Sequence, residues 1–201
     1  MLWRENKIMQ IRNLSEKTED FTGNIWLMQN GETVLIDVGR GDSWQAIQEL
    51  EEVDKVVITH SHYDHVDNLP KVEDAYHPEI YAFDPENLTV KAEKLKEGEE
   101  IVLCGTSLQV FHTPGHKDDS ICLYSRKDKI LFTGDLVFPE GGFGRTDLEE
   151  GDRDQLIDSI EKLVDLEVNE MYCGHEPATK EDVEEQIENS LQEAKKRKPK
   201  Y

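Results

Sequence analysis

An α/β fold is predicted by three observations on this sequence. Short apolar runs recur along the chain with glycine, proline or asparagine between them, which is the punctuation of β-strands. Two polar stretches, 152–166 and 180–196, carry apolar residues at helical spacing. A glycine-bearing loop at 38–42 opens a further helix between two strand candidates.

In order, 8–14 and 24–29 read as strands, and the second is joined to 33–37 through Asn30 and Gly31, a dipeptide suited to the positive φ angles of a tight hairpin. Ser43 is expected to cap a helix with Trp44, Ile47 and Leu50 on one side. Residues 55–59 form the next strand, and 79–82 a short one between Pro78 and Pro85. The polar segment 87–98 reads as a surface connection, followed by a hairpin of 100–103 and 107–112 around Gly105. Strands 120–125 and 129–132 lead to a glycine-rich loop at 140–147. Helix 152–166 has Leu156, Ile160, Leu163 and Val164 as its apolar stripe. After a last strand at 168–172, Thr179 caps a final helix from 180 to 196 that opens acidic and ends basic, as the helix dipole prefers. With no repeat and no low-complexity linker, residues 1–201 read as a single domain.

Composition narrows the function classes. At 201 residues and 36% hydrophobic content the chain can bury a core, and no apolar run approaches the ~20 residues of a membrane span. The start of the chain lacks the apolar segment of a secretory signal, so a cytoplasmic location is expected. Cys104, Cys122 and Cys173 are odd in number and far apart, which argues against a disulfide framework or a sulfur-based zinc finger and for buried apolar roles. A net charge of −21 disfavours nucleic acid as a partner, because that affinity rests on Lys and Arg neutralising phosphates. The same charge gives a solvated, self-repelling surface, and high-salt adaptation is its sharper reading. The basic tail 195–201 reads as a solvated helix end.

The densest chemistry lies at 59–65, Thr-His-Ser-His-Tyr-Asp-His, directly after the apolar run Val56, Val57, Ile58. His60, His62, Asp64, His65, His116, Asp135 and His175 each follow a predicted strand, where loops at one sheet edge converge. Seven candidate ligands are too many for one four-coordinate zinc and suit two metal ions bridged by a carboxylate, which points to catalysis rather than a closed structural site. His112 and His77 lack partners in this pattern and read as structural.

The ordered set Thr-His-Ser-His-Tyr-Asp-His at 59–65, Thr-Pro-Gly-His at 113–116, Phe-Thr-Gly-Asp at 132–135 and Tyr-Cys-Gly-His-Glu at 172–176 resembles that of the metallo-β-lactamase-fold hydrolases. Within that superfamily the chain is most similar to short glyoxalase II-like (hydroxyacylglutathione hydrolase-like) thioester hydrolases. The resemblance implies a four-layer αββα sandwich with the metal site at one edge. It assigns His60, His62 and His116 to one divalent ion and Asp64, His65 and His175 to the other, with Asp135 bridging. Zinc suits such ligands, and iron and manganese also accept them. It further implies a small-molecule thioester substrate, S-2-hydroxyacylglutathione or a related acyl thioester, attacked by a metal-bridging hydroxide. The resemblance also implies catalytic roles for Asp64 and Asp135, and Arg145 in the glycine-rich loop reads equally as a binder of an anionic part of the substrate or as a surface ion pair with Asp147 or Glu149.

Two departures weigh against glutathione as the thiol carrier: a single helix follows His175, and Pro177 stands where the full-length enzymes carry tyrosine. Three rival readings share the residues. Gly-Arg-Thr-Asp at 144–147 resembles the persulfide dioxygenases, where His60, His116 and Asp135 would hold one iron, although Gly-His-Glu at 174–176 differs from them. β-Lactam hydrolysis is a main or side activity of such a centre, but Asp135 occupies a position that dedicated enzymes commonly fill with cysteine. A non-catalytic metal-binding module is expected to have lost ligands, and none of the seven is missing.

Overall fold

The computed structural model describes residues 9–196, so the expectations for the first residues and the basic tail beyond 196 lie outside the described residues. The chain runs through β1 (Gln10–Asn13), β2 (Trp26–Gln29), β3 (Thr33–Ile36), α1 (Trp44–Ile47), β4 (Lys55–Val57), α2 (Tyr63–Val66), α3 (Leu69–Tyr76), β5 (Glu79–Ala82) and β6 (Glu93–Lys94). It continues with β7 (Glu100–Leu103), β8 (Thr106–His112), β9 (Ile121–Ser125), β10 (Ile130–Gly134), the small hairpin β11 (Val137–Phe138) and β12 (Gly142–Phe143), α4 (Arg153–Glu161), β13 (Glu170–Cys173) and α5 (Val183–Lys196).

These strands make two main sheets, one in the order β1-β2-β3-β4-β5-β6 and one in the order β13-β10-β9-β8-β7. Strand periodicity then dictates the layers, because successive side chains leave opposite faces. Trp26, Met28, Val34, Ile36 and Val57 of the first sheet meet Leu108, Val110, Ile121, Leu123, Ile130 and Phe132 of the second in a shared core. The intervening residues Leu27, Leu35 and Val56 turn outward onto Ile47 of α1 and Leu69 and Val72 of α3. In the second sheet Cys122, Tyr124, Leu131 and Met171 turn outward onto Leu156 and Ile160 of α4 and Ile187 and Ala194 of α5. The result is an αββα sandwich. β3, β9 and β10 are buried along their whole length because both faces are covered.

The described residues correct the sequence reading at five points. Ser43 does not cap α1 through its side chain; its hydroxyl donates to the Arg40 carbonyl, and the helix is a single turn preceded by a 3-10 turn. Helices α2 and α3 went unread between the histidine cluster and β5, because Pro70 and a polar sequence mask the spacing of Leu69 and Val72, both buried. The 87–98 connection is not wholly superficial: β6 pairs with β5, and Leu95 is buried between the sheets. Helix α4 stops at Glu161, short of 166, although Asp152 caps it as an acceptor for the Gln155 N–H. Helix α5 starts at Val183 because Thr179 exchanges backbone hydrogen bonds with Met171, extending the edge of β13 instead of opening a helix.

Among the described residues no helix is long and apolar enough to cross a membrane.

Candidate metal centre

Each loop of the site begins where a strand of one sheet or the other ends. β3, β4 and β5 run parallel, so Asp37 and Thr59 emerge side by side, with the Asp37 N–H donating to the Val57 carbonyl at 2.9 Å. β10 and β13 are also parallel and deliver Asp135 and His175. The two sheets are stitched at this edge by the Ile121 N–H donating to the Thr59 carbonyl at 2.8 Å. Close approach is enforced at Gly174, where an added Cβ would lie 2.1 Å from Asp135 Oδ1 and 2.9 Å from His65 Cε1.

The structure brings all seven candidate ligands together. One ligand atom each from His60, His62 and His116 lie within 4.8 Å of one another, and so do one each from Asp64, His65 and His175. A third such group, His60, His65 and Asp135, joins the two. Asp135 Oδ2 lies 3.4 Å from both His116 Nε2 and His175 Nε2, and Oδ1 lies 3.5 Å from His65 Nε2. Asp135 therefore stands at the junction of both triads.

The ring nitrogens are oriented from behind. Asp37 is an acceptor, so His65 Nδ1 must donate to its Oδ2, at 2.7 Å, which turns Nε2 inward. Thr59 donates its hydroxyl to the same oxygen at 2.7 Å, and can then accept His60 Nδ1–H at 3.1 Å. His116 Nδ1 donates to the Arg145 carbonyl at 2.8 Å. Buried His60 Nε2, His65 Nε2 and Asp135 Oδ1 consequently have no hydrogen-bond partner. Ligand atoms that converge in a buried place without a hydrogen-bond partner fit a cation, which would satisfy them together.

The electrostatics agree with that donor set. Burial, reinforced by neighbouring imidazoles, holds His60 well below its ordinary pKa and pulls His62 down to about 4. Both are thus neutral, which is the form that ligates. Burial opposes ionisation of Asp135, but the charge of His65, whose pKa Asp135 and Asp37 raise against burial, and a hydrogen bond from His175 outweigh it and hold the carboxyl far below the usual carboxylate range. Burial likewise opposes charge on His175, yet hydrogen bonds to Asp135 and Asp64 push it up to about 10. A proton on His175 thereby takes the place that a cation would occupy between these carboxylates.

The other residues singled out in the sequence fall outside the cluster. The Arg145 guanidinium pairs with Asp147, Nε to Oδ1 at 2.9 Å and Nη2 to Oδ2 at 3.0 Å, so what it presents to the centre here is its backbone carbonyl. His112 stacks on Phe83 with centroids 3.9 Å apart, and His77 ends α3 in the left-handed conformation, φ 50°. Asp37 was not recognised as part of the site from sequence. Its signal is the one shared by the ligands, a polar residue directly after a buried strand.

The family model described as the metallo-beta-lactamase superfamily matches residues 18–175. The hydroxyacylglutathione hydrolase of Hamiltonella defensa subsp. Acyrthosiphon pisum (strain 5AT) is 33% identical over 159 residues, covering 76% of this chain and 61% of the relative. This chain spans about half to two thirds of the length of the first curated relatives it matches. Among solved structures, the metallo-beta-lactamase family protein TTHA1429 from Thermus thermophilus superposes with a TM-score of 0.78 at 20% identity, over 93% of this chain and 79% of that one. ETHE1 from Myxococcus xanthus superposes with a TM-score of 0.70 at 23% identity, over 96% and 93% of the two chains. At these identities the structural likenesses bear on the fold alone. With a model that spans most of its length, an αββα sandwich and a clustered His/Asp set at the sheet edge, the chain belongs to the metallo-beta-lactamase superfamily.

Proposed function

We propose that this chain is a metal-dependent hydrolase of acyl thioesters, glyoxalase II-like, working with two divalent ions held by His60, His62 and His116 and by Asp64, His65 and His175, with Asp135 between them. The observation that carries the reading is the pair of triads that Asp135 joins, with unpartnered ring nitrogens of His60 and His65 turned inward. The likeness to hydroxyacylglutathione hydrolases supports the thioester class. The 201 residues are read as one working unit, because the site draws on loops of both sheets. Three free, buried cysteines suit a reducing compartment such as the cytoplasm.

When bound, two divalent ions acidify a water and polarise a carbonyl oxygen. The chain's own part is to fix the geometry. Asp37 and Thr59 hold the His65 and His60 rings, and the Arg145 carbonyl holds the His116 ring, so no ring must reorient during turnover. Asp64, its carboxylate kept ionised by His175 and His65 against the opposing effect of burial, accepts the proton of the attacking water. Burial of His60, His65 and Asp135 keeps competing water away from the reacting carbonyl. A thiolate leaving group, of pKa about 8.5 for a Cys-type thiol, departs with little acid assistance, so the lack of a dedicated acid is no obstacle. Arg145, on the glycine-rich loop, exchanges Asp147 for an anion of the substrate in this reading.

A persulfide dioxygenase needs only His60, His116 and Asp135 for its iron and leaves His62, Asp64, His65 and His175 without a ligand role. Elemental analysis of the purified protein, followed by thioester, persulfide and β-lactam assays on the same sample, tests the proposal. About two equivalents of divalent metal and thioester turnover that chelation abolishes are expected. One iron per chain with oxygen uptake on persulfide would overturn it.

A further inference from the structure

Two exposed aromatic side chains stand beside the metal centre. Phe21 is 64% exposed, and its ring stacks on His175 with centroids 5.3 Å apart and planes 18° from parallel. Tyr63 is 58% exposed and follows His62 and precedes Asp64 in the chain. The Arg40 guanidinium lies over the Tyr63 ring, with Cζ 5.0 Å from the centroid. Thr22 joins the two aromatics into one rim. Its hydroxyl accepts the Arg40 backbone N–H at 2.9 Å and faces the Asp64 carbonyl at 3.3 Å, and Phe21 is its neighbour in sequence.

The charge around Arg40 is informative. The chain carries 44 acidic residues against 23 basic ones, yet among the described residues the half-buried Arg40 side chain forms no ion pair and rests on Tyr63. Carboxylates close in the chain are already engaged. Asp42 accepts the backbone N–H groups of Glu19 and Asp20, and Asp20 accepts that of Asp42. A guanidinium parked on an aromatic face keeps its in-plane N–H donors free, and their fork matches two oxygens of a carboxylate or phosphate. In a protein of this charge a free anion is repelled by most of the surface, so a cation beside the centre selects where an anionic substrate is tolerated.

We propose that Arg40, seated on Tyr63, binds an anionic oxygen group of the substrate remote from the scissile bond, while Phe21 covers the apolar part lying nearer His175. The inference rests on the hydrolase reading above and adds the substrate class, a thioester carrying a carboxylate or a phosphate. Arg40 is a positioning residue. Energy from the remote anion orients the carbonyl at the centre, and its loss falls chiefly on KM.

The zinc-loaded protein and its Arg40→Ala and Arg40→Lys variants are compared on three thioesters. S-Lactoylglutathione carries carboxylates, acetyl-CoA carries phosphates, and S-acetyl-N-acetylcysteamine is uncharged. Arg40→Ala is expected to raise KM for one anionic thioester about tenfold and to lower the preference for it over the uncharged one by a similar factor. Arg40→Lys recovers part of the loss, and added salt erodes the preference of the native protein. The two anionic arms tell carboxylate from phosphate. A KM that rises equally for all three substrates, or for none, overturns the inference. Should the native protein turn over no thioester, the hydrolase reading itself has failed, and titration calorimetry with S-methylglutathione and with coenzyme A reads the subsite without turnover. About tenfold weaker binding of one of them to Arg40→Ala supports the subsite. Equal binding to both proteins, or binding to neither, overturns it. Tyr63→Leu, which removes the seat and keeps the cation, takes the place of Arg40→Ala should that variant not fold.

Discussion

His65 donates its Nδ1–H to Asp37 across 2.7 Å, and Asp37 in turn accepts the Thr59 N–H and hydroxyl, each at 2.7 Å. A single buried carboxylate at the end of β3 thus sets the ring that faces Asp135 and the backbone from which His60 departs. Asp37 holds this position with a left-handed backbone, φ 60°, which aspartate tolerates better than most residues.

Replacing Asp37 with alanine removes the acceptor and leaves every ligand in place. Metal affinity is expected to fall about 10- to 100-fold, the usual cost of losing a partner behind a ligating histidine. Competition with a chromophoric chelator measures this. Unchanged affinity would show that the Asp37 network is dispensable.

Gly174→Ala tests crowding rather than ligand loss. The added methyl would fall 2.1 Å from Asp135 Oδ1, so Asp135 or the 173–175 backbone must move. Metal content per chain is expected to drop below that of the native protein, with thioester turnover reduced at least tenfold because small displacements of reacting groups cost about 100-fold. Both are read on protein whose far-ultraviolet circular dichroism matches the native.

Burial raises all three thiols, Cys104 to about 11, with Glu32 adding to the effect, and Cys122 and Cys173 to about 12. Their folded values lie above the ~8.5 of an unfolded cysteine. The stability they contribute is therefore fully present below pH ~8.5 and is lost as pH rises through 11 to 12, because the unfolded chain gains thiolates first. At pH 8 a disulfide-exchange reagent is expected to label none of them in the native protein within the time that labels all three in denaturant. The denaturation midpoint is expected to fall between pH 8 and pH 10.5.

Phe132 is fully buried between the two sheets and stacks on Tyr172 at 5.1 Å, whereas Val102 on β7 is 56% exposed. Phe132→Ala is expected to cost about 3–5 kcal/mol in denaturant unfolding, and Val102→Ala within about 0.5 kcal/mol of nothing. Comparable losses at the two positions would contradict the layer assignment.

The net charge of −21 predicts self-repulsion that salt screens. A melting temperature that climbs from low to molar potassium chloride is the expected outcome for the apo-protein, and a flat or falling curve removes the high-salt reading.

How much of this was legible in advance follows from physical range. The β2–β3 hairpin, β5 and the β7–β8 hairpin were readable because alternation and turn chemistry are local, and the positive φ angles of Cys104 and Gly105 lie where the turn was expected. Helices α2 and α3 were not, since what holds them is burial of Leu69 and Val72 on a sheet that is assembled from distant segments. The early end of α4 and the late start of α5 are likewise tertiary, the second being decided by Thr179 pairing with Met171.

For the centre, the candidate donors were legible from residue type and position along the chain. His60, His62, Asp64, His65, His116, Asp135 and His175 follow strands that end at one edge, and their residue types are ones that ligate divalent metals. Tertiary structure decided what no spacing can encode: that Asp135 lies between the two triads, that Asp37 stands behind His65, that Arg145 offers its carbonyl to His116 and its side chain to Asp147, and that Arg40 lies on Tyr63 beside the centre. The reason is distance along the chain. A ligand's identity is a local property of one residue, whereas the atom behind it or between two of them is set by how separate strands pack.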